Sequence, residues 1–267
     1  MFKKHLGQHF LTDPKILGRI AAALDGEPGD SVLEIGPGRG SLTTELVRRG
    51  FAVTAVERDR ELIPELRHRF PTVAIAEGDA LDVDWHALAV RGSTPAPWFV
   101  IGNIPYNITS PLIDKALEPP RPRQIVFLVQ REVADRLVAP AGVSEYGALS
   151  VGVQSVAKVE RLFRVRAGAF HPPPRVDSAV VRLTPRVDPL FADAEASGFR
   201  RFVTALFSVR RKQLGRGLRI AAGLSIDAAA GALAEAGIAE TERPERLEPS
   251  QFIQLYRSSL TGSGRVR

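Results

Sequence analysis

The chain has 267 residues, of which 44% are hydrophobic and 25% are charged. This length and composition predict a water-soluble protein with one sizeable domain and a smaller one. The chain contains no cysteine, which excludes disulfide bonds, thiolate nucleophiles and cysteine-ligated zinc. The formal net charge of +6 at pH 7 and the sequence pI of about 10.0 indicate a polyanionic partner.

The sequence shows no sign of a membrane segment or a secretion signal. No apolar run approaches the ~20 residues that a membrane-spanning helix requires. The first residues, Met1–His5, carry positive charges with no hydrophobic stretch after them, unlike a signal peptide. We therefore expect a cytoplasmic protein with no membrane association. Because no sequence feature indicates an oligomer, a monomer is expected.

Strand and helix patterns alternate from about residue 30 to residue 138. The predicted strands are residues 31–35, 52–57, 72–76, 99–102 and 125–129. Repeated β-α units predict a mostly parallel, Rossmann-like sheet covered by helices on both faces. Two later strands, at 156–165 and 178–183, are expected to add an antiparallel element.

The pattern changes after a break flanked by Pro185 and Pro189. Only helical patterns remain beyond it, at residues 192–208, 210–222, 226–236 and 249–260. The sequence therefore predicts an α/β domain over residues 1–187, with an N-terminal segment at 1–29, and a small all-helical domain over residues 188–267.

Three consecutive strands of the predicted sheet end in a glycine turn or an acidic residue. Gly36 and Gly38 follow the first strand, Glu57 ends the second, and Asp79 follows the third. The glycine loop is neither a P-loop nor a dinucleotide fingerprint, since its glycine spacing matches neither pattern. Each acid alone could be a helix cap or a solvated charge. Together, at one edge of a parallel sheet, they predict nucleoside binding.

The hexapeptide Asn103–Ile108, Asn-Ile-Pro-Tyr-Asn-Ile, follows the apolar run Trp98–Gly102. Asn103 offers both an acceptor and donors, Pro105 fixes φ, and Tyr106 offers a stacking surface. This combination suits a flat, amide-bearing group such as a nucleobase. An Asn-X-Pro sequence is also an ordinary turn former, so the rest of the chain decides between the two interpretations.

A basic segment runs from Arg200 to Arg219 with no acidic residue. Lys212, Arg216 and Arg219 have the i, i+4, i+7 spacing of one helix face, which indicates contact with phosphates. The five histidines are scattered, and no group of histidine and acidic residues has the spacing of a metal site, so no metal is expected.

Taken in order, five motifs make the chain resemble the class I S-adenosylmethionine-dependent methyltransferases. Among these it resembles the rRNA adenine N6-dimethyltransferases, and most closely the small-subunit rRNA dimethyladenosine transferases (KsgA/RsmA type). The motifs are Lys4–Leu11, Glu34–Gly38, Gly102–Ile108, Tyr146–Val151 and Phe170–Val180. The resemblance covers nearly the whole chain. It implies a methyltransferase domain whose first residues contact cofactor and RNA, followed by a helical rRNA-binding domain.

The resemblance implies S-adenosyl-L-methionine as the cofactor. The cofactor-binding residues would be His9, Leu11, Gly36, Gly38, Glu57, Asp79, Ala80 and Asn103. His9 and Leu11 would close over the cofactor, and the two glycines would lie against its methionine part. Glu57 would bind the ribose hydroxyls and Asp79 the adenine. Asn103 would bridge the cofactor and the target base.

The resemblance also implies the reaction, which is N6,N6-dimethylation of two adjacent adenines in a hairpin near the 3′ end of small-subunit rRNA. The residues at the reacting base would be Asn103, Ile104, Pro105, Tyr106 and Phe170. Asn103 and the Ile104 carbonyl would accept the N6 hydrogens, while Tyr106 and Phe170 would stack on the extruded base. The immature small subunit would be bound through Lys3, Lys4, Arg210, Arg211, Lys212, Arg216 and Arg219.

Three rival functions share parts of this pattern. A resistance-type dimethyltransferase of large-subunit rRNA has the same Asn-Ile-Pro-Tyr arrangement, but Pro172–Ala179 and Arg243–Leu247 favour the small-subunit type. Methyltransferases of DNA adenine or protein glutamine usually carry proline where this chain has Ile104. A non-catalytic ribosome assembly factor is the third rival, and the intact Gly36 and Asn103 argue against it. One departure from relatives is Gly215-Arg216, which stands where an Arg-Asn pair is common.

Overall fold

A computed structural model describes residues 9–90 and 97–263 of the chain. It divides the chain into two compact units. The described residues up to Ala134, together with Lys158–Pro185, form the first, and Asp135–Ala157 joins the described residues from Arg186 onward in the second. The predicted division between 187 and 188 lies close to the last of these crossings, but the membership of Asp135–Ala157 was not predicted.

Within the described ranges the strands are short and the helices are mostly of two or three turns. The strands are β1 (Phe10–Leu11), β2 (Ser31–Ile35), β3 (Ala52–Glu57), β4 (Ala74–Glu77), β5 (Trp98–Asn103), β6 (Gln124–Gln130), β7 (Ala157–Val165), β8 (Phe170–His171) and β9 (Ser178–Pro185). The helices are α1 (Pro14–Ala21), α2 (Ser41–Arg48), α3 (Ile63–Arg69), α4 (Trp85–Ala89), α5 (Thr109–Ala116), α6 (Arg131–Val138), α7 (Ala148–Gln154), α8 (Ala196–Ser208), α9 (Leu214–Ala221), α10 (Ile226–Glu235) and α11 (Pro249–Ser263).

The main sheet has seven strands in the order β4-β3-β2-β5-β6-β9-β7. The pairs β3–β4, β2–β3, β2–β5 and β5–β6 are parallel, and β9 pairs antiparallel with β6. The order reverses at β2, since β3 lies on one side of it and β5 on the other. This is the topological switch point at which open α/β sheets bind ligands. The predicted fold class, a Rossmann-like methyltransferase sheet with a late antiparallel strand and a helical C-terminal region, is confirmed.

The two strands at the switch point approach each other closely. Ile35 of β2 is the register partner of Gly102 in β5, and a Cβ atom at Gly102 would lie 2.6 Å from the Ile35 carbonyl oxygen. Because only glycine fits there, Gly102 lets the residues that follow the two strands come together. Central-strand residues such as Ile101 and Val126 are fully buried, as expected for parallel strands covered on both faces.

A second, two-stranded sheet was not predicted from the sequence. Strand β1 pairs antiparallel with β8, with Phe10 opposite His171 and Leu11 opposite Phe170. The Thr12 N–H extends this pairing by donating to the Ala169 carbonyl at 3.1 Å. Two-residue strands leave no periodic signal in a sequence, so this pairing could not be read from the pattern. It fixes the described N-terminal residues beside the main sheet.

The second unit is a set of helices with its own aromatic core. Phe199, Leu206 and Phe252 are almost fully buried, and the rings of Phe207 and Phe252 stack at 5.6 Å. The residues at 135–157 belong to this unit because Tyr146 is buried there and its hydroxyl donates to the Leu247 carbonyl at 2.7 Å. No helix within the described ranges has the length and apolarity needed to cross a membrane.

The basic helix predicted at 210–222 begins later than expected. Helix α9 starts at Leu214 after an extended Gln213, and Lys212 lies in a turn in which its N–H donates to the Val209 carbonyl. The N–H groups of Leu214 and Gly215 bond to carbonyls at Glu242 and Glu240, so the 240–242 segment fixes the start of the helix. The predicted helical alignment of Lys212 with Arg216 and Arg219 is therefore wrong.

Candidate functional site

One cavity opens at the carboxyl ends of the parallel strands in the first unit. It is lined by the glycine loop after β2, by the end of β3, by the segment after β4, by the hexapeptide after β5, and by β1. Every predicted cofactor residue lines it: His9, Leu11, Gly36, Gly38, Glu57, Asp79, Ala80 and Asn103. Three of the residues predicted at the reacting base, Ile104, Pro105 and Tyr106, line it as well. The strand-end prediction thus identified residues that share one cavity.

The glycine loop adopts a conformation that other residues rarely take. Gly36 and Gly38 have φ values of +66° and +59°, in the left-handed region that glycine occupies without a steric cost. A Cβ atom at Gly38 would lie 2.7 Å from the Phe10 ring, whereas one at Gly36 would meet nothing within 4 Å. The loop therefore packs against β1 at Gly38 and leaves room in the cavity over Gly36.

The Glu57 carboxylate is held by two backbone N–H groups. Glu57 is 6% exposed, and its carboxylate accepts from the Gly38 N–H at 3.0 Å and from the Asp59 N–H at 2.7 Å. Burial raises the pKa of Glu57, and the two N–H donors oppose that rise. Because two donors hold the carboxylate in one orientation, it presents its remaining lone pairs in a fixed direction.

A second buried carboxylate, Glu34, has no role in the sequence-based prediction. It is 1% exposed, lines the cavity, and accepts from the Thr43 hydroxyl at 2.7 Å. Burial raises its pKa to about 7, the Thr43 hydrogen bond opposes the rise, and the negative charge of Glu57 adds to it. The signal in the sequence was an acidic residue between two apolar residues, Leu33 and Ile35, of the predicted strand 31–35.

Asp79 is held between a backbone donor and a guanidinium. Its carboxylate accepts from the Leu81 N–H at 3.0 Å and pairs with Arg58 at 3.0 Å. Arg58 also lines the cavity and was not predicted. A similar pair, Arg60 with Glu77 at 2.5 Å, joins the ends of the same two strands, but neither residue lines the cavity.

The turn after β5 is built around one buried hydroxyl. Thr109 is buried, and its hydroxyl lies 3.2 Å from both the Pro105 and the Tyr106 carbonyls. Ile104 is 1% exposed and anchors the turn in the core. The Tyr106 hydroxyl bonds to the hydroxyl of Ser178 at 2.6 Å. The contact with Ser178 fixes the orientation of the Tyr106 ring, which lines the cavity together with Asn103.

His9 contacts both of those groups. The Asn103 side-chain nitrogen donates to the His9 carbonyl at 2.9 Å, and the His9 ring stacks on the Tyr106 ring with centroids 5.7 Å apart and an interplanar angle of 27°. The His9 Nδ1 lies 2.9 Å from the Pro172 carbonyl oxygen. The prediction placed His9 over the cofactor; the structure shows it beside the predicted base-binding residues.

Phe170 does not join the cavity. It is 4% exposed and belongs to the hydrophobic core with Leu11, its register partner in β1. Although predicted as a second stacking surface, Phe170 is not among the residues that line the cavity. Its burial follows from the β1–β8 pairing, which was not predicted and which packs the ring inward.

The basic residues predicted to contact RNA in the second unit are all exposed: Arg210, Arg211, Lys212, Arg216 and Arg219. The first three form the turn between α8 and α9, and the last two lie on α9. Lys3 and Lys4 lie outside the described residues. No group of three histidine, cysteine or acidic residues in the described ranges is placed to hold a metal ion.

The chain is similar to known ribosomal RNA methyltransferases over almost its whole length. Ribosomal RNA small subunit methyltransferase A of Geobacter sulfurreducens is 42% identical over an alignment that covers 98% of this chain and 96% of that protein. A dimethyladenosine transferase from Plasmodium falciparum has a similar structure, with a TM-score of 0.81 and 26% identity over 96% of this chain and 98% of that one. The 23S rRNA methyltransferase ErmE gives a TM-score of 0.69 and 29% identity over 93% of this chain and 98% of that one.

The family match covers the cavity and the helical unit together. The family described as ribosomal RNA adenine dimethylase matches residues 1–259. This range includes the glycine loop, the two strand-end acids, the Asn103–Ile108 hexapeptide and most of the C-terminal helices. On this match, and on the identity to the Geobacter protein, the chain belongs to the ribosomal RNA adenine dimethylase family.

Proposed function

We propose that the protein transfers methyl groups from S-adenosyl-L-methionine to N6 of two adjacent adenines in a hairpin near the 3′ end of small-subunit rRNA. The observation that carries this proposal is the position of the Asn103–Tyr106 turn. It shares one cavity with the glycine loop and with Glu57 and Asp79. A site that can bind the edge of a flat base through the Asn103 amide therefore adjoins a site suited to a nucleoside cofactor.

The residues in the cavity fit the proposed cofactor. The open space over Gly36 can take a ligand chain against the backbone, and the oriented Glu57 carboxylate can accept from a pair of ribose hydroxyls. Glu57 and Asp79 line the cavity at the ends of neighbouring strands, where they can meet the ribose and the adenine of one nucleoside. When bound, S-adenosyl-L-methionine supplies an electrophilic methyl group.

The chain's own part in the reaction is to hold the target nitrogen. The N6 lone pair of adenine is delocalised into the ring, so it is a poor nucleophile. Acceptance of the N6 hydrogens by the Asn103 side-chain oxygen and the Ile104 carbonyl favours a more tetrahedral, more nucleophilic nitrogen. Tyr106 stacks on the base, which contributes ~1–3 kcal/mol. Positioning and exclusion of water, rather than a strong base, supply most of the rate.

The substrate is recognised as a polyanion. The exposed basic residues between Arg210 and Arg219 bind rRNA phosphates, and Lys3 and Lys4 add contacts at the other end of the chain. We propose that the protein acts as a monomer, in the cytoplasm, on immature small subunits. The similarity to the small subunit methyltransferase A of Geobacter sulfurreducens supports this choice of substrate.

A second candidate is dimethylation of large-subunit rRNA, and the structural similarity to ErmE supports it. The small-subunit substrate is favoured for two reasons. The small subunit methyltransferase A of Geobacter sulfurreducens is 42% identical to this chain, whereas ErmE is 29% identical. The segments Pro172–Ala179 and Arg243–Leu247 also resemble the small-subunit type. A role in subunit assembly is compatible with catalysis, and the intact cavity argues against an assembly role alone.

A transfer assay with three substrates tests the proposal. The protein is incubated with labelled S-adenosylmethionine and immature small subunits that lack the modification, with mature small subunits, or with free large-subunit rRNA. We expect label in N6,N6-dimethyladenine of the immature subunits only. Label in the large-subunit RNA would select the second candidate, and no label in any substrate would leave the assembly role.

A further inference from the structure

His9 contacts the two groups to which the proposed function assigns binding of the target base. The Asn103 amide and the Tyr106 ring are both in contact with His9. We propose that His9 is a specificity-determining residue that competes with the target adenine, so that the base enters only by displacing it. This inference rests on the proposed function, because it takes Asn103 and Tyr106 as the base-binding residues.

The competition at the edge of the base concerns one hydrogen bond. The Asn103 side-chain nitrogen donates to the His9 carbonyl at 2.9 Å. The Watson–Crick edge of adenine offers an acceptor, N1, beside the N6 donors, and an asparagine amide can pair with both. The His9 carbonyl thus accepts the hydrogen bond that the Asn103 side-chain nitrogen would donate to N1 of adenine. While that bond is made, Asn103 cannot form its full pair of bonds with the base.

The competition at the face of the base concerns the Tyr106 ring. The His9 imidazole lies over it, 5.7 Å away between centroids and inclined by 27°. Tyr106 cannot easily turn away, because its hydroxyl is bonded to Ser178 at 2.6 Å and Ser178 is buried at the start of β9. A base that stacks on this face of Tyr106 must therefore replace the imidazole.

The contacts that hold His9 in place determine how strongly a base must bind in order to displace it. Its Nδ1 lies 2.9 Å from the Pro172 carbonyl oxygen, and the β1–β8 pairing begins at the next residue, Phe10. When a base displaces His9, the contacts of His9 with Asn103 and Tyr106 are lost. The base replaces them only if it stacks well on Tyr106 and offers an acceptor beside its donor. Adenine does both. A base that stacks less well, or that lacks this edge pattern, recovers less and is disfavoured by the same contacts.

Binding measurements on paired hairpins test the displacement. The probes are a hairpin from the 3′ end of small-subunit rRNA and the same hairpin with an abasic site at the target adenine. The ratio of the two affinities isolates insertion of the base from contacts with the phosphates. His9→Ala removes the imidazole from Tyr106 and keeps the backbone carbonyl that faces Asn103. If the imidazole covers the Tyr106 ring in about nine-tenths of the molecules, this variant should bind the adenine hairpin ~10-fold more tightly. Its affinity for the abasic hairpin should equal that of the wild type.

Two variants serve as controls. His9→Phe keeps a flat ring over Tyr106, so the adenine hairpin should gain little or no affinity. Thr12→Ala removes another side-chain hydrogen bond of the same segment, that from the Thr12 hydroxyl to the Ala169 carbonyl at 3.3 Å. It should keep the wild-type ratio. A misfolded variant loses affinity for both hairpins, so a selective gain cannot arise from damage to the fold.

Four results would overturn the proposal. Weaker binding of the adenine hairpin by His9→Ala would show that the imidazole helps to bind the base and is not displaced by it. An equal gain on both hairpins, or no gain, would place the effect outside the base site. A gain by Thr12→Ala as large as that of His9→Ala would attribute it to a loosened segment. Methyl transfer by the wild type is measured in parallel. Transfer without the His9→Ala gain refutes the displacement alone, whereas the gain without transfer refutes the proposed function alone.

Discussion

The strand-end cavity and the basic surface of the helical unit differ in how their functional residues are fixed. In the cavity each important side chain is held by neighbours: Glu57 by two backbone N–H groups and Tyr106 by Ser178. The basic residues Arg210, Arg211 and Lys212 are exposed in a turn. Fixed groups suit the positioning of a reacting atom, whereas exposed cations suit long-range attraction to phosphates, which needs little geometric precision.

This contrast predicts that the two regions control different kinetic quantities. Apart from His9, which we propose competes with the target base, changes in the cavity should alter methyl transfer or cofactor binding with little effect on RNA affinity. Changes in the basic turn should alter RNA affinity and its dependence on salt, with transfer at saturating RNA largely retained. Each prediction below tests one side of that division.

The largest effect is expected for Asn103→Ala. This variant removes the side-chain oxygen that accepts an N6 hydrogen of the target. Loss of one such positioned bond lowers kcat by about 10²–10³, so transfer should fall to near the limit of detection. RNA affinity should be nearly unchanged. Ser110→Ala is the control, since Ser110 is exposed in the first turn of α5 and does not line the cavity. A comparable loss of RNA affinity in Asn103→Ala would contradict its assigned role.

The next largest effect concerns stability and pH at Glu34. Its pKa is about 7 in the folded protein and 4.5 as the reference value, so the folded state retains a proton that the unfolded chain releases. Stability should therefore fall as pH rises from about 4.5 to about 7. Glu34→Gln removes this loss and should be more stable than the wild type at pH 8, by up to roughly 3 kcal/mol. Urea unfolding at several pH values measures this, and parallel curves for the two proteins would refute it.

The basic turn should determine how steeply RNA affinity depends on salt concentration. Each lost phosphate contact reduces the slope of log affinity against log salt by about 0.7–0.9. Combined alanine substitution of Arg210, Arg211 and Lys212 should therefore lower the slope by roughly 2–3. Binding titrations at four salt concentrations measure the slope, and the pair Arg216→Ala and Arg219→Ala gives the comparison on the helix. A large fall in kcat at saturating RNA would contradict the claim that the basic turn controls RNA affinity and not methyl transfer.

The smallest effect is expected for Arg58→Ala. Arg58 holds Asp79, which faces the proposed adenine of the cofactor. Loss of one exposed ion pair should weaken S-adenosylmethionine binding by about two- to fivefold. Arg60→Ala removes a pair between the same strand ends that does not line the cavity, so cofactor affinity should not change. Calorimetric titration of both variants makes the comparison, and equal effects would show that Arg58 acts only through general electrostatics.

Sequence patterns predicted the cavity better than they predicted its surroundings. Glu57 and Asn103 could be placed together because the carboxyl ends of parallel strands share one sheet edge. The β1–β8 pairing could not be predicted, because it depends on contacts between residues 10–11 and 170–171. For the same reason the burial of Phe170 and the contact of His9 with Tyr106 were unforeseen. The start of α9 was misplaced because the distant segment 240–242 fixes it.

The most direct test is the transfer of labelled methyl groups to immature small subunits that lack the modification. We predict that wild-type protein places label in N6,N6-dimethyladenine at two adjacent positions near the 3′ end of the RNA, and that Asn103→Ala places label about 10²–10³ times more slowly. Absence of label with wild-type protein, under conditions in which it binds the subunits, would contradict the assignment of the Asn103–Tyr106 turn as the place where an rRNA adenine is methylated.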